Sequence, residues 1–238
     1  EYYDRLILPL KQIVSNWVCY GTAIRCLSLL IQWGGSTKFS VDAEDIMRSI
    51  VIRLSESYDL LIDGHFIQNF FQLVQVMGPS FSQFLPLIIP PIITAIESSL
   101  TSIDEMGRVS HRSCDFGRKR NCCDLSVRLA EILKEAMHPY VRTLFDLVLS
   151  HLTLLIYRSH RNWAAQIVPP LLISVKEKKV IKGRPCVKEM KELWRRYWRA
   201  LKFAFTTRDN FQNDEVFFVR SIAKCIEILG RKRERWLN

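Results

Sequence analysis

Glycine and proline are scarce in this chain, nine of each in 238 residues. An all-β fold needs more of that punctuation at its turns, so the shortage leaves room for long helices. Long apolar runs are missing too. The longest, residues 84–96, is interrupted by Pro86, Pro90 and Pro91. It falls short of the roughly 20 residues that a bilayer-crossing helix needs, and no membrane span is expected. The opening residues EYYDRLILPLKQ lack the basic start, apolar core and small-residue cleavage site of a secretion signal, so the chain reads as intracellular, either whole or as a fragment.

Paired cysteines and catalytic spacings are also lacking. The seven cysteines are odd in number and irregularly spaced, which does not make a disulfide framework. His111, Cys114, Cys122 and Cys123 are metal-ligand types, but adjacent cysteines beside one histidine do not match the paired spacing of a zinc site. Cys26 and Cys225 are placed on apolar helical faces. None of His65, His111, His138, His151 and His160 sits in a Ser/His/Asp or zincin spacing. No glycine-rich loop precedes a helix to cradle phosphate. The chain is therefore expected not to be an enzyme, and no cofactor or metal is implied.

What is present is apolar content, 48%, and an uneven charge. Residues 1–100 carry a net −3 and residues 101–238 a net +13, giving +10 in all. Such a basic half attracts nucleic acid, acidic protein or an anionic surface without regard to sequence.

Apolar residues recur at i, i+3, i+4 and i+7 in segment after segment, and the order is helix, short break, helix. The first pair covers 3–14 and 22–33, where Ala23, Cys26, Leu27, Leu30 and Ile31 form a stripe closed by Gly34 and Gly35 as the C-cap. Further pairs are expected at 43–54 with 66–77, 84–100 with 125–137, 141–157 with 162–175, and 189–205 with 215–229. Gly78 and Gly230 follow two of the second helices. The units fall at 1–39, 40–80, 81–139 with a long loop at 101–123, 140–187 and 188–230, before a basic tail at 231–238. This period predicts an all-α fold, an α-solenoid superhelix of about five HEAT-type repeats in a single array. One pair cannot bury its apolar face alone, so neighbours stack and expose an extended inner surface suited to protein partners.

Certain phrases are more specific than the period. Tyr3, Asp4, Leu8 and Pro9 lead into Leu10, Lys11, Gln12, Ile13 and Val14. Thr22 and the run Cys26, Leu27, Ser28, Leu29 come next, then Gly35, Lys38, Phe39, Asp42, Ala43, Asp45, Ile46 and Met47. The proline-rich run Leu85, Pro86, Leu87, Ile88, Ile89, Pro90, Pro91, Ile92 is the most telling. Later come Ala130, Glu131, Leu133, Lys134, Glu135, Tyr140 and Val141, then Ala164, Ala165, Pro170, Leu171 and Leu172. Ala223, Lys224, Cys225, Ile226, Glu227 and Gly230 close the series. In order and spacing these resemble the β-karyopherins of the importin-beta family, and most closely their importin five (Ran-binding protein) branch.

The resemblance implies a partial, divergent middle segment of a nuclear transport receptor working between cytoplasm and nucleus. Such receptors hold protein cargo and the GTP-bound Ran GTPase on their inner helices and meet phenylalanine-glycine nucleoporins outside. This segment would lack the amino-terminal arch that carries the principal Ran contacts. It also departs from the family. The loop after the Pro90, Pro91 helix is acidic there, but here keeps Asp104, Glu105 and Asp115 beside Arg108, Arg112, Arg118, Lys119 and Arg120. Ser159, His160, Arg161 and Asn162 stand where a HEAT polar ladder is usual.

Within this frame Glu131 and Glu135, one turn apart on a second helix, are candidate contacts for a basic partner. The stretch 189–205 sets Met190, Leu193, Trp194, Tyr197, Trp198 and Leu201 against Lys188, Lys191, Arg195, Arg199 and Lys202. Arg118, Lys119, Arg120, Lys191, Arg195, Arg199 and Lys202 are the candidate polyanion patch. Lys176, Lys178, Lys179, Lys182 and Arg184, and the tail from Arg231 to Arg235, add basic clusters. The leading expectation is an importin-type protein-binding scaffold, and the alternative is a basic HEAT scaffold for RNA or another polyanion.

Overall fold

The structure is a computed structural model that describes residues 2–16, 20–34, 36–56, 64–97, 101–103, 109–111, 113–152, 158–177, 187–206 and 215–230. In chain order the helices are α1 (Tyr2–Asn16) and α2 (Tyr20–Gly34), which pack together, then α3 (Ser36–Glu56), α4 (Gly64–Met77), α5 (Leu85–Glu97) and α6 (Ser113–Leu133). Then come α7 (Val141–Leu152) with α8 (Arg158–Glu177), and α9 (Val187–Thr206) with α10 (Glu215–Leu229). Turns of 3-10 helix at Gly78–Phe84 and Lys134–Tyr140 lead into α5 and α7. The fold is all-α, a HEAT-type α-solenoid. Its chain divides into two compact units, Glu1–Leu125 and Ser126–Asn238.

In the first unit the first helices of successive pairs pack together, α1 on α3 and α3 on α5, while α2 packs on α4. The repeat period explains the layers. Tyr3, Ile7 and Val14 of α1, and Phe39, Ala43, Ile46, Met47 and Ile50 of α3, bury one stripe each. A chain of rings continues the core: Phe66 lies 5.8 Å from Phe70, Phe70 5.8 Å from Phe81, and Phe81 5.8 Å from Phe84. A polar tie sets α1 against α3. Tyr3 Oη donates to Asp42 Oδ2 at 3.1 Å and to the Lys38 carbonyl at 3.3 Å. Lys11 Nζ donates to Asp42 Oδ1 at 2.9 Å and to Asp45 Oδ2 at 3.0 Å. Burial first, and the bond to Asp42 second, hold the Tyr3 phenol well above its usual range.

In the second unit α7 packs on α8 and α9, and α8 packs on α9 and α10. Trp163, Ala164, Ala165, Ile167, Val168, Leu171, Leu172 and Val175 bury most of α8's surface. A buried polar chain runs beside them. Trp163 Nε1 donates to Ser126 Oγ at 3.3 Å, the His151 ring stands edge-on to Trp163 at 5.3 Å, and His151 Nδ1 lies 2.8 Å from the Leu147 carbonyl.

Several details differ from the sequence expectation. Cys26 is exposed; the buried stripe of α2 is Ala23, Ile24, Leu27 and Ile31, one step round the helix. Gly34 ends α2 without a left-handed backbone, and serves close packing, since a Cβ there would lie 3.2 Å from Tyr3 Cδ2. Gly78 (φ 54°) and Gly230 (φ 78°) do adopt the left-handed conformation, and the Gly230 N–H bonds the Ile226 carbonyl at 3.1 Å.

The stretch 101–123 is not all loop. Residues Thr101–Ile103 (β1) and Val109–His111 (β2) pair antiparallel, Ser102 opposite Ser110, as β-branched residues favour. Helix α6 then starts at Ser113, a residue type that suits a helix start, and its Arg and Lys residues are good helix formers.

Residues His65–Glu97 form one run whose length and mean hydropathy, 1.4 over its best window, match a membrane crossing. The left-handed Gly78 breaks that run into α4 and α5, of 14 and 13 residues. Each is about 20 Å long at 1.5 Å per residue, short of the roughly 30 Å hydrocarbon core. Their large side chains, Phe66, Phe70, Leu73, Ile88, Ile89 and Ile92, are buried in protein.

Phe70 is fully buried, so Phe70→Ala is expected to cost about 3–5 kcal/mol. Native-state hydrogen exchange should show that loss in the α4 amides. Trp33→Ala, at an exposed position, should shift them by less than about 0.5 kcal/mol; equal losses in both variants would contradict the ring core.

Candidate functional site

Backbone packing uses one face of each second helix and leaves another open. On α8 the stripe lining the groove is Gln166, Pro169, Pro170, Ile173, Lys176 and Glu177, the two prolines buried at its floor; on α10 it is Phe217, Arg220, Ser221, Lys224, Glu227 and Ile228, with Ser221 buried. Both stripes step by i, i+3, i+4, i+7, i+10 and i+11, which keeps them on one helical face. Between them lie two adjoining hollows, of about 680 and 430 Å³. Val127, Glu131 and Lys134 contribute from the α6 side. The first unit repeats the plan. Arg25, Ser28, Leu29 and Gln32 of α2 face Gln72, Gln75 and Val76 of α4 around a hollow of about 640 Å³.

The groove of the second unit has an apolar floor and a charged rim of both signs. Pro169, Pro170, Ile173, Phe217 and Ile228 supply the floor. Lys176 Nζ donates to the Ile228 carbonyl at 2.9 Å, which stabilises the C-terminal turn of α10. Lys134 and Glu177 approach to 3.6 Å across exposed surface, a pair worth little by itself. Glu131, Arg220, Lys224 and Glu227 complete the rim. Behind the groove wall, Tyr197 Oη and Ser221 Oγ share a 2.8 Å hydrogen bond in the buried layer. Burial raises the Tyr197 phenol, and it pushes the Cys225 thiol up to about 12, with the Ser221 contact opposing.

The candidate residues separate on the structure. Glu131 lines both hollows, but Glu135 does not share its helix. Lys134 has φ 40°, α6 stops at Leu133, and Glu135 sits partly buried in the following 3-10 turn. Lys119 is buried near Cys123 rather than on a basic surface, and Arg120 is exposed. The side chains of Arg118, His111 and Cys114 lie outside what the structure describes, as do residues 178–186 and the tail 231–238. The described cysteines Cys122, Cys123 and Cys225 are buried. Lys191, Arg195, Arg199 and Lys202 share one face of α9, in the second unit, with the apolar residues of that helix behind them.

No protein-family model matches the chain. Solved structures do. The karyopherin Kap121p bound to the SUMO protease Ulp1p is similar over 96% of this chain, with TM-score 0.75 and 17% identity. Kap121p bound to RanGTP is similar over 99%, with TM-score 0.75 and 18% identity, and Kap121p bound to Nup53p over 99%, with TM-score 0.72. At that identity the likeness is one of fold. The chain spans about a quarter of the length of those Kap121p chains.

A thiol with its pKa near 12 is only about one part in ten thousand thiolate at pH 8. Maleimide at pH 8, mapped by mass spectrometry, should therefore label exposed Cys26 in the folded protein and Cys225 only after unfolding. Equal labelling of both would show that the layer behind the groove is open.

Proposed function

We propose that this chain is a protein-binding scaffold of the nuclear-transport type, working without chemistry of its own between cytoplasm and nucleus. The observation that carries the reading is the Kap121p-like fold over nearly the whole chain, including structures of Kap121p bound to Pho4p and to Ste12p. The second-helix grooves support it. An extended segment of cargo polypeptide needs apolar hollows for side chains and polar groups of both signs for its backbone and charged residues, and α8 with α10 offers both. The glutamines of α2 and α4 offer further donors and acceptors in the first unit. By resemblance the partners also include Ran and phenylalanine-glycine nucleoporins, and the likeness to the importin five branch is the finer assignment.

Ala223 is exposed on the groove wall, so Ala223→Arg puts a long side chain into the hollow without touching the core. Titration calorimetry with a lysine-rich nuclear-localisation peptide should give measurable binding to the unaltered chain. The variant should bind about tenfold more weakly, roughly 1.4 kcal/mol, with an unchanged circular dichroism spectrum. Unchanged affinity would remove the groove from the reading. Retention of neither this peptide nor GTP-loaded Ran would remove the transport role.

A further inference from the structure

Helix α9 divides between two faces. Met190, Leu193, Trp194, Tyr197 and Leu201 are each at most 4% exposed, which fixes the helix to its unit. Away from them lie Lys188, Lys191, Arg195, Arg199 and Lys202, spaced by three or four residues so that all five fall on one stripe. At 1.5 Å per residue that stripe is about 21 Å long.

Its charge is offset by one neighbouring acid of the same helix, Glu192. Other cations nearby have partners: Arg196 bonds Asp146 Oδ1 at 2.6 Å, and Arg142 approaches Glu189 Oε1 at 3.8 Å. Glu189, one of two acids on α9, also bonds His138 at 3.2 Å and is turned away from the stripe. The other acid, Glu192, is exposed beside it. Among the described residues Lys188, Lys191, Arg195 and Arg199 make no ion pair, and Lys202 Nζ lies 5.8 Å over the Trp198 ring. Five like charges held so close repel one another, and a ligand that neutralises them recovers that energy.

We propose that this face of α9 binds the phosphate backbone of a single nucleic-acid strand, without reading its sequence. The shape decides among polyanions. Insertion into an anionic membrane needs a continuous apolar exposed face, whereas Met190, Leu193, Trp194, Tyr197 and Leu201 are packed inside and only Val187 and Phe203, at opposite ends of α9, are exposed large apolar residues among those described. A tight acidic protein partner needs a desolvated aromatic or aliphatic anchor at the centre of its contact, and the exposed Val187 and Phe203 sit at the ends of α9, off the stripe. A flexible strand can lie along the stripe, each phosphate meeting a cation, with the half-buried Trp198 at its margin.

The test is fluorescence anisotropy of a labelled 20-nucleotide polyuridine RNA with the full chain, at increasing NaCl. Each phosphate neutralised on a single strand contributes about 0.7 to the slope of log affinity against log salt. Replacing Lys191, Arg195, Arg199 and Lys202 with glutamine should lower that slope by about 3 and weaken binding at least about tenfold at low salt. Arg195→Lys with Arg199→Lys should leave the slope unchanged. If the fourfold variant loses helix content, the single variants Arg195→Gln and Arg199→Gln decide, each lowering the slope by about 0.7. An unchanged slope in the glutamine variants overturns the proposal. So does stronger binding of phosphatidylserine vesicles, polyglutamate or duplex DNA than of the RNA.

Discussion

A pair of amphipathic helices cannot bury its own apolar stripe, and nearly every feature of each unit follows from the need for a neighbouring pair to cover it. The residues that meet this need are the rings of Phe66, Phe70, Phe81 and Phe84 in the first unit, and the closely packed apolar stretch from Trp163 to Val175 of α8 in the second. Stacking fixes which face of each second helix is spent on the core. The face left over becomes the groove, so the floor of Pro169, Pro170 and Ile173 is a by-product of the packing that buries Ile167, Leu171 and Ser174. The core and the groove thus take neighbouring residues of one helix.

Prolines and glycines are few, but they sit where the stack needs a departure from regular helix. Pro90 and Pro91 in α5, and Pro169 and Pro170 in α8, remove backbone donors within helices whose neighbours hold them in place. In α8 the Ser174 hydroxyl donates to the Pro170 carbonyl at 3.0 Å, one turn after the prolines. Gly78 matters differently. Its left-handed backbone turns one long apolar run into two short helices whose large side chains are buried within the protein.

Much of the fold was legible in the sequence because helical period is a strong signal: an all-α chain was predicted, most helices overlap the segments that apolar spacing marks, and Gly78 and Gly230 follow α4 and α10 as expected. Phase and geometry were less legible. Cys26 and Ile24 differ by about a fifth of a turn from being exchanged, so composition alone could not assign the inner one. Nothing in the charge of 101–123 announces that α6 begins at Ser113, because Arg and Lys suit a solvated loop and a helix equally. Lys119 shows the consequence, buried within a cluster that reads as surface. The groove was missed for another reason: its stripe mixes proline, glutamine, lysine and glutamate, which an apolar search passes over, although Gln166 to Glu177 and Phe217 to Ile228 repeat one spacing.

The charge of the second unit sorts its two surfaces. At the groove Glu131, Glu177 and Glu227 stand among Lys134, Lys176, Arg220 and Lys224, a near balance that gives a polyanion little net attraction and suits a polypeptide. On α9 five cations stand together, with Glu192 the one exposed acid of that helix. Salt separates such surfaces, because counterion release governs the second while apolar burial governs the first. Raising ionic strength would therefore strip a nucleic-acid strand from α9 and leave a peptide in the groove. The two proposed ligands would use different helix faces, and α8, which packs on both α9 and α10, is the element that links them. With α8 so fully buried, that link has little slack, and binding at the two surfaces should be close to additive.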